Sequence, residues 1–322
     1  MSIRVLAPGL ATAIQAGPRS GQRHLGVAGA GALDPYSHAV ANLLVGNAPQ
    51  APVLEITLSG PTLRFEHAAR IALCGAEIDA GAGGGALPGW RPLLLPAGAE
   101  LALGRCRAGA RAYLAVAGGF EVADVLGSGS TDLATGFGGF SGRCLREGDV
   151  LAAGRDDAND TGDIHAPGWW VDPSPELDFE ASPQPVRILP GGDAARPPPK
   201  LLDAQWRVLA ASDRQGLRLR GPALDPGPGD LRPSEPVTPG TVQLPPDGQP
   251  IVLLADAQTH GGYPRVGHVI RADRPRLAQL RPGDALRFVA CTPAQAHQAL
   301  REQRQRLQRI ALAIHARSQA HA

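Results

Sequence analysis

The chain has 322 residues and a formal net charge of +1, from 31 basic and 30 acidic side chains. At roughly 100–200 residues per domain this length fits two domains, and the near-neutral balance gives no electrostatic reason to bind nucleic acid or an anionic membrane. Aromatic residues are only 4% against 41 glycines and 31 prolines, which is the punctuation of many short strands and turns and excludes a helical bundle.

The first ten residues, Met1 to Leu10, contain no long apolar stretch of the signal-peptide kind. No charge-free apolar run reaches the roughly 18 residues that span a bilayer. Cys74, Cys106, Cys144 and Cys291 are scattered and form no C-x-x-C. A cytoplasmic, reduced protein without structural zinc is expected. The nine histidines show no H-E-x-x-H spacing, so no metal site made by this chain alone is expected. Lys200 is the sole lysine, in Arg196-Pro-Pro-Pro-Lys200. The chain therefore lacks a P-loop lysine, and Lys200 is a poor setting for covalent biotin. No G-x-S-x-G elbow suggests a serine hydrolase.

In chain order, the loop Gly17-Pro-Arg-Ser-Gly21 comes first. Arg19 there suits a bidentate grip on a carboxylate or phosphate, or an ordinary surface ion pair. A helix is predicted from Asp34 to about Val45, with Asp34 as N-cap, Pro35 at the first position and Gly46 at the end. Asn42 within it serves either a site or a tie between helix and neighbouring loop. Val53–Leu58 and Thr62–Glu66 alternate apolar and polar residues around a Gly60-Pro61 turn, as in an antiparallel sheet with one buried face. On this reading Leu54, Ile56 and Leu58 point inward and Glu55 and Thr57 outward. Residues 71–74, 100–103, 111–116 and 149–151 continue the pattern.

Between the last two of these lies a glycine-rich stretch carrying Ser128, Ser130, Thr131 and Asp132. Freed backbone N–H groups and hydroxyls suit an anion nest there, with Arg143 as counter-charge or as a bridge at a strand rim. Texture changes to polar, proline-punctuated sequence around residues 155–185, and strands resume at Pro185–Leu189. Asp213-Arg214 reads equally as a site pair or a turn. Gln243 alternates with Val242 and Leu244, so it is expected to face a cavity. The apolar run 249–255 then leads into Asp256-Ala-Gln-Thr-His-Gly-Gly-Tyr-Pro264. Asp256, Gln258, Thr259, His260 and Tyr263 put a carboxylate, an amide, a hydroxyl, an imidazole and a phenol at one strand end. From Pro293 to His315 helix formers dominate, with Leu300, Leu307, Ile310 and Ile314 available to one face and arginines to a solvated one.

Three strings recur in order in the two halves: Ser59-Gly-Pro-Thr-Leu63 with Arg220-Gly-Pro-Ala-Leu224, Gly138-Gly-Phe140 with Gly261-Gly-Tyr263, and Leu145–Leu151 with Leu280–Leu286. Their order favours two related β-domains. The expected division is 1–160, a linker at 161–184, and 185–322.

Longer strings carry a resemblance. Gly31-Ala-Leu-Asp-Pro35, Ala41-Asn-Leu-Leu-Val-Gly-Asn47, Leu54–Leu58, Arg111–Gly119, Gly127–Leu133, Pro245–Leu253 and Asp256–Arg265 resemble the biotin-dependent carboxyltransferase family. It takes in the C subunit of 5-oxoprolinase, also called allophanate hydrolase subunit 2, and part of the carboxyltransferase region of urea carboxylase. The resemblance implies a mainly β fold: two cyclophilin-like β-barrel domains, a few short helices and a C-terminal helix. It implies the C subunit of an ATP-dependent 5-oxoprolinase that converts 5-oxo-L-proline to L-glutamate with its A and B subunits, inactive without them. ATP with Mg2+ would be shared with those partners, and no biotin would be attached to this chain. Two alternatives stand beside it: a biotin-dependent carboxyltransferase subunit of the urea or allophanate type, and a regulator of a kinase-inhibitor partner.

The resemblance also suggests roles. Asp256, Gln258, Thr259 and Tyr263 would be catalytic, orienting a lactam that ATP activates at its oxygen. Arg19, Asp34, Asn42, Ser128, Ser130, Thr131, Asp132, Arg143, Asp213, Arg214, Gln243 and His260 would bind substrate or anion. His260 stands where the family usually has a second threonine.

Overall fold

The computed structural model describes residues 1–154, 162–174, 176–193, 197–226 and 233–319. Of the polar connection expected around 155–185, residues 155–161 and 175 lie outside this set. The chain forms two compact units whose segments interleave: Met1–Pro18, Ala30–Leu177 and Gln305–Ala322 in the first, Arg19–Gly29 and Asp178–Arg304 in the second.

The first unit is built on β1 (Ser2–Ala7), β2 (Ala11–Gln15), β3 (Val53–Thr57), β4 (Thr62–Phe65), β5 (Ala69–Ala82), β6 (Gly85–Ala86), β7 (Pro92–Leu95), β8 (Glu100–Val116) and β9 (Val150–Ala152), with helix α1 (Pro35–Leu44) between β2 and β3. These strands form one nine-stranded sheet in the order β2-β3-β8-β4-β1-β9, and β5 adds to β8 and carries β6 and β7. All pairings are antiparallel. The strands predicted at 71–74, 100–103 and 111–116 turn out to be parts of two long strands, β5 and β8. Three register shifts interrupt their pairing between Gly75 and Ala80. Such irregularities bend a strand and blur its alternation, which is why the sequence shows fragments.

Apolar residues cover both faces of this sheet. Ile3, Ile56, Phe65, Ile71 and Leu114 pack on one side. On the other, Tyr36, Val40 and Leu44 of α1 pack against Val53, Cys74 and Tyr113. The expectation of an outward Glu55 therefore fails: Glu55 is 3% exposed, because α1 covers the face on which a solvated residue was expected. The helix itself is as predicted. The Asp34 carboxylate accepts from the N–H of Tyr36 and Ser37, and Pro35 sits at the first turn.

The second unit contains β10 (Gln184–Pro190), helix α2 (Pro199–Asp203), β11 (Gln205–Val208), β12 (Gly216–Arg220), β13 (Glu235–Pro236), β14 (Thr241–Gln243), β15 (Ile251–Leu253), β16 (His260–Gly261), β17 (Arg265–Val269), helix α3 (Arg274–Gln279) and β18 (Ala285–Ala290). Seven of these strands close a barrel in the order β10-β17-β14-β15-β12-β11-β18, and β13 pairs with β16 apart from it. Closure removes the sheet edges. Val186, Ile188, Trp206, Val242, Val252 and Leu286 are each fully buried. The fold is thus mainly β, as expected, with a closed barrel in one unit and a branched open sheet in the other. The long helix α4 (Pro293–Gln319) is assigned by its first part to the second unit and from Gln305 to the first. Leu307, Ile310 and Ile314 pack into a first-unit core cluster. Arg301, Arg304 and Arg309 are exposed, while Arg306 reaches Glu176 at 2.7 Å.

One of the recurring strings has a structural counterpart. In each unit an Arg–Asp turn leads to a strand: the N–H of Arg146 donates to the Asp149 carboxylate, and that of Arg281 to Asp284. Each turn has a glycine at positive φ, Gly148 and Gly283. In both, the glycine N–H donates to one valine carbonyl (Val5, Val208) and that valine's N–H donates to the aspartate carbonyl. The same hydrogen-bond pattern on corresponding residues supports two related β-units.

Candidate functional site

The strand end that drew attention in the sequence sits in the second unit. β15 ends at Leu253, and the chain turns through Asp256, which is 4% exposed. Its carboxylate is held by Arg214 in a two-pronged ion pair, Nε to Oδ2 at 2.8 Å and Nη2 to Oδ1 at 2.9 Å. The Asp256 N–H also donates to the Arg214 carbonyl at 3.0 Å. The neighbouring Asp213 is exposed and accepts from the N–H of Gln215 and Gly216, which is an Asx turn. The partner of Arg214 is therefore 42 residues away in sequence and not next door.

Beyond Asp256 the loop alternates in exposure. Gln258 and His260 are exposed, Thr259 is buried and Tyr263 is 47% exposed. The Thr259 hydroxyl lies 2.9 Å from His260 Nδ1, and the Thr259 carbonyl accepts from the Val237 N–H. Gln243 on β14 is 2% exposed, and its Nε2 has no hydrogen-bond acceptor among the described residues. Gly261 passes so close that a Cβ there would lie 2.5 Å from that nitrogen. Arg19 is 3% exposed, with its N–H donating to the Gly29 carbonyl. The segment that Arg19 begins is anchored by Arg23, whose Nη2 donates to the carbonyls of Val237 (2.8 Å) and Gln258 (3.0 Å). The sequence reading passed over Arg23. Its setting, an arginine between glycines, carries no signal of a tie to residues more than 200 positions away.

The other sequence-selected residues lie in the first unit. Ser128 Oγ donates to the Gly17 carbonyl at 2.5 Å and accepts from the Ser130 N–H at 3.0 Å. Ser130 Oγ accepts from the Ala16 N–H, and Thr131 Oγ1 donates to the Ile14 carbonyl. Asp132 accepts from the N–H of Ala134 and Thr135. These hydroxyls bind the glycine-rich loop to the end of β2. Beside them Ala16, Gly17, Gln50, Pro52, Ser128 and Gly129 help line an open cleft of about 230 Å³.

Arg143 forms a two-pronged pair with Asp149, both contacts at 2.8 Å. That pairing holds the Asp149 carboxyl below its ordinary range and raises the Arg143 guanidinium. Asn42 donates to the Ala51 carbonyl and accepts from Asn47, tying the loop after α1 to the helix. Asp34, besides capping α1, presents its N–H to the Tyr113 hydroxyl (2.8 Å), which donates to Glu55 (2.9 Å). Of this buried chain of polar groups only Asp34 was among the sequence candidates. The polar Glu55 between Leu54 and Ile56 looked like the solvent side of a strand.

Among the described residues no group of three or more His, Cys, Asp or Glu side chains can hold a metal ion, and no helix is long and apolar enough to cross a membrane.

Residues 25–290 match the family described as carboxyltransferase domain, subdomain A and B. The C subunit of the Escherichia coli K12 5-oxoprolinase is 39% identical over 320 residues, covering 97% of this chain and 99% of that protein. The C subunit of the Haemophilus influenzae 5-oxoprolinase is 36% identical, over 84% of this chain and 85% of that one. In structure the chain is similar to the Kluyveromyces lactis urea amidolyase, with a TM-score of 0.85 and 28% identity; the match covers 96% of this chain and only 20% of the amidolyase. The chain belongs to the carboxyltransferase domain, subdomain A and B, family.

Proposed function

We propose that this chain is the C subunit of an ATP-dependent 5-oxoprolinase, a hydrolase complex that opens 5-oxo-L-proline to L-glutamate, and that it acts only with the A and B subunits. One observation carries the reading: the likeness to the E. coli 5-oxoprolinase subunit runs the length of both chains, whereas the likeness to urea amidolyase takes in a fifth of a much larger protein.

Lactam hydrolysis needs activation of a poor electrophile, and ATP with Mg2+ is the activator in this reading. Among the described residues, the glycine-rich loop that suited an anion nest does not fit that group with its metal. The described residues offer no acidic cluster for the metal, and the Ser128, Ser130 and Thr131 hydroxyls are turned to backbone partners. In this reading the A and B subunits supply the metal ligands for the shared nucleotide.

What this chain contributes is a positioned loop. Asp256 and Thr259 are positioning residues: the ion pair to Arg214 fixes where the loop leaves the barrel wall, and buried Thr259 fixes its middle. Gln258, His260 and Tyr263, exposed on that loop, offer amide, imidazole and phenol groups to a lactam.

The test is release of ADP and glutamate from ATP and 5-oxoproline, with this chain alone and with its cognate A and B subunits. Turnover only in the full mixture supports the reading. An assembled but silent complex overturns it. Activity that depends on biotin and bicarbonate would then favour the carboxyltransferase alternative, and tight assembly without any turnover a regulator.

A further inference from the structure

The stretch from Val237 to Thr241 gathers positive charge. Its Val237 carbonyl takes Nη2 of Arg23, and its Pro239 carbonyl takes Nη2 of Arg274 at 2.5 Å. The Thr241 hydroxyl lies 3.4 Å from Nδ1 of His268. Arg271, exposed, stands one turn before Arg274. Three other arginines of this unit meet carboxylates, Arg187 binding Asp273, Arg214 binding Asp256, and Arg265 binding Asp193 and Glu235, while the exposed Arg207 reaches the Gly283 carbonyl at 2.8 Å. Arg23, Arg271 and Arg274 differ. Among the described residues none of the three pairs with an acid. Asp273, next to Arg274 in sequence, is turned to Arg187 at 2.6 and 3.0 Å.

Carbonyl contacts orient a guanidinium but cancel none of its charge. Nη1 of Arg23 and Nε of Arg274 are buried and reach no acceptor among the described residues. The charges act on one another as well: burial first, then Arg271 and Arg23, push the Arg274 guanidinium down to about 10. Burying cations together without a counter-charge is unfavourable. A ligand that brings both negative charge and several acceptor oxygens removes the conflict, and the planar guanidinium fork matches such groups in geometry.

We propose that Arg23, Arg271 and Arg274 form a binding site for a small oxyanion, the carboxylate or phosphate group of a small-molecule ligand. The site does not depend on the 5-oxoprolinase reading.

The test is calorimetric titration of the full chain alone with inorganic phosphate, pyrophosphate and 5-oxoproline, with 2-pyrrolidinone, which lacks the carboxylate, as the neutral control. At least one anion binds at millimolar concentration, the neutral lactam does not, and added salt weakens binding. Phosphate or pyrophosphate binding without 5-oxoproline binding identifies a phosphoryl site; the reverse identifies a carboxylate site. Arg274→Gln weakens binding about tenfold or more, as loss of a charge-assisted contact predicts. Arg274 also supports Pro239, so the exposed Arg271 gives the second variant: Arg271→Gln weakens binding several-fold, and Arg271→Glu abolishes it. Wild-type chain that binds none of the anions, or Arg271 and Arg274 variants that bind as well as wild type, would overturn the proposal. Because these readouts are binding by the chain alone, they are separable from a failure of turnover in the assembled enzyme.

Discussion

Arg214 and Asp256 close a two-pronged ion pair whose side chains are 10% and 2% exposed. Removing one partner of such a pair leaves a buried charge without its counter-charge, which costs more than the pair itself contributes. Asp256→Ala should therefore destabilise the chain by about 3–5 kcal/mol, read from urea unfolding. Replacing both residues with apolar ones of similar volume should recover most of that loss. If the single variant instead unfolds at the wild-type urea midpoint, the pair does not fix the loop, and the positioning role assigned to Asp256 falls with it.

That pair also marks what the sequence could and could not reveal. α1 was legible because its signals are local: Asp34, Pro35 and Gly46 lie within one helix length, and capping acts over a single turn. The short strands β3, β4, β9 and β10 were legible by alternation. The long β5 and β8 were read as fragments, since bulges break the period. Asp213-Arg214 was left open between a site pair and a turn because Asp213 is adjacent, while Asp256, the partner of Arg214, is brought near only by the pairing of β12 with β15. Glu55 was expected in solvent because nothing in residues 53–58 records that a helix covers its face of the strand. Long-range closure decides each of these, and local pattern does not carry it.

The Tyr113 hydroxyl bridges the Asp34 N–H and the Glu55 carboxylate, and all three residues are buried. Glu55 also accepts from the Leu33 N–H at 2.8 Å. Tyr113→Phe keeps the ring and its packing but leaves a buried donor and a buried acceptor without this partner. Each such orphan costs about 1–3 kcal/mol. The expected result is a lower unfolding midpoint with an unchanged urea dependence of the unfolding free energy. Unaltered stability would mean that water or a neighbour replaces the hydroxyl, and that the bridge does not fix the start of α1.

Gly261 and Gln243 test the close approach of the candidate loop to the barrel. A methyl group on Gly261 would fall 2.5 Å from Gln243 Nε2. The amide is the end of a flexible side chain, but at 2% exposure it has little room to withdraw. Gly261→Ala should cost about 1–3 kcal/mol, the range for overpacking. Gln243→Ala in the same chain should relieve much of it, giving a strongly non-additive double-mutant cycle. Additive effects would show that the loop moves away as a body and that Gln243 does not limit it.

His38 predicts how stability changes with pH. It is 3% exposed, and its Nε2 lies 2.8 Å from the Ala51 carbonyl. An acceptor at that distance requires the proton on Nε2, so the Asn42 amide, also a donor, binds the carbonyl and not the ring. The surroundings act in opposite directions. Burial lowers the imidazole below its ordinary 6.5, while the Ala51 carbonyl and the Glu55 carboxylate raise it by less. His268 is lowered too, by burial and then by Arg274. For both groups the folded state holds its proton less tightly than the unfolded state. As pH falls below 6.5 the unfolded chain takes up protons first, so stability is fully present above that pH and is lost on acidification. Each group contributes a slope of at most about 1.4 kcal/mol per pH unit between its folded and unfolded values. Urea midpoints should therefore drop between pH 7.5 and pH 5.5. His38→Gln, whose side-chain amide can still donate to Ala51, should flatten that drop without removing it, because His268 remains. A variant that follows the wild-type curve in parallel would show that His38 titrates alike in both states, and the acid sensitivity would then have to come from His268.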